Sequence, residues 1–218
     1  MVSLPRLYDY VASANCYKVR LLLAQLALPY ERVPIDIFDG DTLTDDYARL
    51  NPHRSTPVLQ LADGRTLIES NAILWYLASG TRFLPDDPFA HAEILRWLIY
   101  EQADVMPAIG GLRFRLVTGR FAPGSPEAET RRRNAHEVLA LLDDHLASRS
   151  FLVGERYSIA DIAVFAYSHL APEAGIDLSD YGHFRAWLER VTEQDDYLDD
   201  LEPYPPNASV VAGKSIYG

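Results

Sequence analysis

Three short runs in the N-terminal third carry residues with chemistry to offer. The first is Ser13-Ala14-Asn15-Cys16, where a β-prone run gives way to a helical period. Backbone N–H groups and the positive end of a helix dipole converge at such a start and favour an anion. A serine or asparagine there could donate a hydrogen bond to a bound thiolate, although the same residue types also cap helices. Cys16, the only cysteine, falls in the first helical turn. There a thiol pKa can drop below its reference of about 8.5, or the side chain can serve as a small buried hydrophobe.

The second run is Ser55-Thr56-Pro57-Val58-Leu59. A proline just before a strand can take a cis peptide in a tight turn. The neighbouring backbone N–H and C=O are then left to pair with a peptide-like ligand, as a sheet edge does; an ordinary trans turn is the alternative. The third run is Glu69-Ser70, at the start of another helical pattern. Ser70 Oγ with helix-terminal N–H groups suits a ligand carboxylate, and Glu69 would accept from an ammonium group. Together they describe a pocket for an α-amino acid head, or again a cap.

Short elements must position these runs. Residues 4–10 and 30–35 read as strands, and residues 58–61 and 66–68 flank an Asp63-Gly64 turn as a hairpin. Between them Val19, Leu22, Leu23 and Leu26 form one helical stripe, and Ile73, Tyr76 and Leu77 another. Strands alternating with helices predict a sheet covered by helices. Beyond residue 89 no strand pattern appears. Residues 89–119 read as one long helix, bent or broken at Pro107 and Gly110-Gly111. Residues 126–146 keep helical spacing. Residues 159–167 are apolar nearly all round, the mark of a helix at a bundle centre, and Tyr181, Phe184, Trp187, Leu188 and Val191 form a last stripe. The expected organisation is an α/β domain at 1–80, a linker at 81–88, an all-helical domain at 89–200 and an irregular tail at 201–218.

The 218 residues are 48% apolar and 23% charged, the balance of a folded globular chain. One cysteine excludes an internal disulfide framework and a CxxC pair. A net charge of −11 argues against nucleic acid and against anionic lipid as partners. No segment approaches the roughly 18 apolar residues of a membrane span, and the start lacks a signal peptide's order; a cytoplasmic protein is expected. The six histidines show no metal-ligand spacing, so no metal is expected.

Residues 13–23, 51–59 and 69–77 (the last reading E-S-N-A-I-L-W-Y-L) resemble the glutathione S-transferase family in order and spacing. Ser158-Ile159-Ala160-Asp161, after Phe151-Leu152-Val153-Gly154, resembles that family's helix-capping box, which satisfies exposed N–H groups where an apolar helix enters a core. The resemblance covers residues from about 4 to 195. It implies a thioredoxin-like N-terminal domain, an all-α C-terminal bundle, glutathione as co-substrate and a homodimer. By resemblance, Pro57 matches the cis-proline, with the Thr56 backbone pairing to the cysteinyl part of glutathione. Glu69 and Ser70 match the residues for the γ-glutamyl head, and His53, Arg54 or Ser55 would lie near the glycyl carboxylate. Ser13 aligns with the catalytic serine of theta- and delta-type enzymes and with a threonine of the bacterial nu-type, whose asparagine aligns with Asn15. Tyr8 and Tyr10 lie on the strand before the loop, so no tyrosine matches the catalytic one of other classes. A zeta-type second serine is replaced by Ala14, and Cys16 falls one residue past the beta-type cysteine.

These matches imply a glutathione transferase in which Ser13, assisted by Asn15, favours the thiolate that attacks a hydrophobic electrophile. The second substrate is expected between the domains, with Tyr100, Asp104, Ile109, Leu112 and Phe114 as candidate lining. The alternatives are a nu-type glutathione-dependent disulfide reductase and a non-catalytic binding or regulatory module of the same fold. Arg131-Arg132-Arg133 is expected to be a solvated helix face, and the acidic run at 195–200 to lie on the surface.

Overall fold

Period-two alternation in four short runs gives a sheet with two different faces. The computed structural model describes residues 4–210, in two units: residues 4–77 together with 198–210, and residues 78–197. In the first unit β1 (Arg6–Asp9), β2 (Glu31–Pro34), β3 (Val58–Gln60) and β4 (Thr66–Ile68) lie in the order β2-β1-β3-β4. β1 and β2 are parallel, whereas β3 runs antiparallel to both β1 and β4. A parallel pair needs a crossover, and α1 (Ala14–Gln25) supplies it.

Successive residues on β1 and β3 point to opposite faces. Leu7 and Leu59 pack with Val19 and Leu23 of α1 and with Ile73 of α3 (Ser70–Ala78). Tyr8 and Val58 pack on the other side with Tyr47 of α2 (Asp45–Leu50). The edge strand β2 carries Glu31, Arg32 and Pro34, residues that discourage another strand from pairing there.

The second unit is all helix and turn. α4 (Pro88–Tyr100) is capped by Asp87, whose carboxylate accepts from Ala90 N at 2.7 Å. The chain then winds wider, as a π-helix over Glu101–Gly110, before resuming as α5 (Gly111–Val117). The expected bend is therefore a change of pitch. Pro107 has no N–H to donate into an i→i−4 ladder, and the Pro107 carbonyl accepts from Arg131 Nη1 at 2.6 Å. Gly110 is required at that point, because a Cβ there would stand 2.3 Å from the Tyr167 ring. Arg131 is thus half-buried, Arg132 is half-buried and pairs with Glu129, and Arg133 alone of the three is exposed.

α6 (Pro126–Leu146) buries Ala135, Val138, Leu139, Leu142 and Leu146. α7 (Ile159–Ser168) is buried at nine of its ten positions and forms the centre of the unit. α8 (Gly182–Thr192) packs Phe184, Trp187 and Val191 inward. Residues 81–88 do not behave as a free linker. Phe83 and Leu84 are buried, and Ile159 N donates to Phe83 O at 3.2 Å.

The tail also differs from expectation. Residues 198–210 return to the first unit, with a 3₁₀ turn at Pro206–Ala208. Tyr17 Oη donates to Leu198 O at 2.6 Å, and Arg20 Nε donates to both carboxylate oxygens of Asp200, at 3.0 and 2.8 Å. Asn207 Nδ2 donates to Asp36 at 2.8 Å. Asp200, expected as a surface charge, is therefore the partner of a fully buried arginine. The rest of the expected irregular tail, residues 211–218, lies outside the described residues.

The capping box carries the helical unit. Asp161, fully buried, accepts from Leu152 N (2.9 Å) and Trp187 Nε1 (3.0 Å) with one oxygen, and from Ser158 N (2.9 Å) and Ser158 Oγ (3.2 Å) with the other. Burial pushes its carboxyl from the ordinary 3.8 up to about 6, against the pull of those donors. An acid whose pKa is raised by folding contributes stability that is complete below its unfolded value and is lost as the pH passes the folded one. Asp161→Ala, which strands several buried donors, should lower the unfolding free energy by roughly 2–5 kcal/mol in urea titrations. The gap between wild type and Asp161→Asn should shrink as the pH rises from about 4 to about 7.

Candidate active site

Two helix starts and one turn bring the three runs into the first unit. Ser13 is the N-cap of α1: its backbone is extended (φ −84°, ψ 120°), and its Oγ accepts from Cys16 N at 3.3 Å. A hydroxyl that accepts in this way still has its own O–H to donate, so capping and donation to a ligand are compatible. Ser13 N donates to Tyr10 O at 2.9 Å, which fixes the turn leading into the helix.

Asn15, two residues on, reaches α3. Its Oδ1 accepts from Ser70 Oγ at 3.1 Å and from Lys18 Nζ at 2.9 Å. Lys18 is fully buried and also donates to Ser70 Oγ (3.4 Å) and Asn71 Oδ1 (3.3 Å). This lysine was missed in the sequence because it stands between Tyr17 and Val19 in an apolar helix. Its i,i+3 spacing from Asn15 was the available signal, since such residues share a helix face.

Cys16 is fully buried, and its Sγ accepts from Tyr10 N at 3.4 Å. Burial, with Asp9 adding to it, pushes the thiol up to about 12. The helix terminus does not overcome that, so the buried reading of Cys16 is the one the structure bears out. The tyrosines before the loop are occupied or suppressed. Tyr8 Oη donates to Gln60 at 3.3 Å, and Tyr10 is held protonated by burial, with Asp36 and Tyr204 acting in the same direction.

The second run forms the turn into β3. The Thr56–Pro57 peptide is cis, and Pro57 is buried. Ser55 is anchored from below: Tyr47 Oη and Asn51 Nδ2 both donate to its carbonyl at 2.8 Å, and Asn51 Nδ2 stands 3.1 Å from its Oγ. Arg54 turns away from the turn's open side. Its guanidinium donates to the carbonyls of Thr42 and Thr44, both at 3.1 Å. His53 faces the third run, with Nδ1 3.7 Å from Glu69 Oε1, and both side chains are exposed.

Glu69 holds a left-handed backbone, φ 69°, immediately before α3. For a non-glycine residue that conformation costs of order 1–3 kcal/mol, and such strain concentrates at functional sites. It leaves Glu69 O accepting from Ile73 N at 3.0 Å while the carboxylate stays at the surface. Asn15, Lys18 and Ser70 thus form one hydrogen-bonded group, and His53 with Glu69 a second. In the helical unit the expected lining divides. Ile109 and Leu112 are fully buried in the core, whereas Tyr100, Asp104 and Phe114 keep accessible surface. Among the described residues no three His, Cys, Asp or Glu side chains are grouped to hold a metal, and no helix is long and apolar enough to cross a membrane.

A β-α-β-α-β-β-α unit followed by an all-helical unit with a buried, capped central helix is the glutathione transferase fold. Residues 12–79 match the glutathione S-transferase N-terminal domain and residues 105–195 the C-terminal domain of that family. A glutathione S-transferase structure from Pseudomonas fluorescens Pf-5 is 41% identical, with a TM-score of 0.88 over 92% of this chain and all of that one. The chain belongs to the glutathione S-transferase family. It is 30% identical to the disulfide-bond oxidoreductase YfcG of Escherichia coli, over 84% of this chain and 87% of the relative. A second Pseudomonas fluorescens Pf-5 family member, whose structure has two glutathione molecules bound, is 26% identical with a TM-score of 0.79, over 90% of this chain and 91% of its own.

The thiol of Cys16 yields a direct test. With its thiol pushed up to about 12 from an ordinary 9.0 and its sulfur fully buried, native Cys16 should react with a maleimide or disulfide reagent at least roughly a hundredfold more slowly than in the urea-unfolded chain. Fast labelling of the folded protein would overturn the buried assignment.

Proposed function

We propose that this protein is a glutathione transferase whose first unit binds glutathione and lowers the pKa of its thiol. The observation that carries this reading is the 3.1 Å bond from Ser70 to Asn15, which joins the starts of α1 and α3. That bond gathers an anion-favouring helix start and an amino-acid pocket in one place. Glu69 accepts from the γ-glutamyl ammonium, while the backbone N–H of Ser70 and the other first N–H groups of α3 take the γ-glutamyl carboxylate. The backbone of Thr56, beside cis-Pro57, pairs with the cysteinyl residue. By family resemblance the turn of His53, Arg54 and Ser55 takes the glycyl carboxylate, with His53 leaving Glu69 to reach it.

Ser13 then donates its O–H to the sulfur, stabilising the thiolate, and the thiol proton leaves to solvent. Asn15 assists by fixing the helix start. The thiolate attacks an electrophilic carbon, a C–S bond forms, and the leaving group departs with the bonding pair. Sharing one site supplies further rate through proximity. The homodimer expected for the family is supported by α4, which exposes Phe89 (75%) and Ile99 (60%) to solvent in the single chain.

A disulfide reductase is the second reading, favoured by the 30% identity to an oxidoreductase and by the inertness of Cys16. In that chemistry the bound thiolate attacks a disulfide and expels one thiolate, and a second glutathione resolves the mixed disulfide. The same Ser13 and Asn15 serve both reactions.

Calorimetric titration with glutathione should show micromolar-to-millimolar binding that Glu69→Ala loses. An absence of heat with the folded protein would overturn both enzyme readings and leave a binding module. Ser13→Ala should keep glutathione affinity within about threefold and lower kcat about 10²-fold. Lys18→Met should raise the glutathione Kd roughly tenfold by releasing Asn15 and Ser70 from their shared donor. An aryl halide assayed beside a small-molecule disulfide separates the two reactions.

A further inference from the structure

Arg20 lies on α1 and is fully buried, yet the glutathione-binding runs do not include it. Its guanidinium has three attachments. Nη1 donates to Asp9 Oδ1 at the end of β1 (2.6 Å), Nε donates to both oxygens of Asp200, and Nη2 donates to Val11 O (3.2 Å) and Asp200 O (3.4 Å). Val11 belongs to the loop of residues 10–13 that delivers Ser13 to the head of α1. The planar guanidinium therefore ties three things at once: the end of the strand before the loop, the loop itself and the returning C-terminal segment. Tyr17, three residues before Arg20 and so on the same helix face, makes the second tether through Leu198 O.

We propose that Asp200 is a positioning residue for Ser13, acting through Arg20 on the Val11 carbonyl, so that the C-terminal segment is a working part of the glutathione site. This rests on the transferase reading. A carboxylate on each side holds the guanidinium in one orientation, and burial, which opposes its charge, is offset by Asp9 and Asp200 together. With Asp200 neutralised the fork keeps Asp9 but loses its pair of charge-assisted bonds on the other edge. It is then free to turn from Val11, and the Ser13 hydroxyl loses its fixed distance to the sulfur. Substrate recognition through Glu69 and Ser70 does not pass through this chain of contacts.

The test compares wild type with Asp200→Asn and Asp200→Glu. The Asp200 side chain is 29% exposed, so the isosteric asparagine opens no cavity. Asp200→Asn should lower kcat about tenfold with the KM for glutathione within about twofold, and should raise the pKa of enzyme-bound glutathione read from thiolate absorbance. Asp200→Glu should restore part of both. Amide hydrogen exchange at residues 11–16 should speed up in Asp200→Asn. Unchanged kcat, thiol pKa and loop exchange in Asp200→Asn would overturn the proposal, even with a lowered Tm, because the tail would then be a structural strap alone. If wild type fails to bind glutathione, the transferase reading falls. The coupling of Asp200 to the loop is then still decided by hydrogen exchange: faster exchange upholds it and unchanged exchange overturns it.

Discussion

One ammonium group holds the two working ends of the first unit together. Lys18 sits inside, where a cation must be matched by oxygen acceptors to offset the loss of water. The acceptors it reaches belong to Asn15, Ser70 and Asn71, the opening turns of two different helices. The positive ends of both helices are thereby kept near one point, and an anionic ligand is the natural complement of such a point. Leu7, Val19, Leu59 and Ile73 pack in one cluster beneath this arrangement, so the sheet and both helices share an apolar layer. A shift of either helix would break polar and apolar contacts together.

The helical unit depends on a buried anion in a comparable way. Asp161 draws in the N–H of Leu152 and the indole of Trp187. Leu152 O in turn accepts from Trp97 Nε1 at 3.1 Å and stands 2.9 Å from His145 Nε2. Four elements, α4, α6, α7 and α8, are thus connected through one carboxylate and the backbone N–H and C=O of one residue, Leu152. Such a network is strong when every member is satisfied, because the low dielectric that penalises an unpaired group also strengthens a paired one.

Elements with a clean period were legible in the sequence. α6 was expected at 126–146 and runs over Pro126–Leu146, and the apolar stretch at 159–167 became the central helix α7. The capping box was legible because serine and aspartate three apart satisfy N–H groups locally, with no need of distant partners. What escaped was decided by distant contacts. Lys18 and Arg20 are charged residues that the stripe of α1 would place at the surface, yet both are buried by partners as far as 180 positions away in the chain. The π-helix around Pro107 reflects a choice of pitch that depends on Tyr167 and Arg131, neither of which is local. At the site, the residue types at 13, 15, 69 and 70 were readable. That Asn15 would bond Ser70, and that Arg54 would brace carbonyls, were not.

The return of residues 198–210 to the first unit makes that unit discontinuous along the chain. Synthesis proceeds from the N-terminus, and domains generally fold as they emerge. Here the sheet, α1 and α3 leave the ribosome long before Asp200 does, and all of residues 78–197 intervene. Until that aspartate arrives, Arg20 has Asp9 as its only carboxylate partner of the two inside a nascent core. The first unit to be made is therefore the last to be completed, and a stalled or prematurely terminated chain carries an unfinished loop at the head of α1.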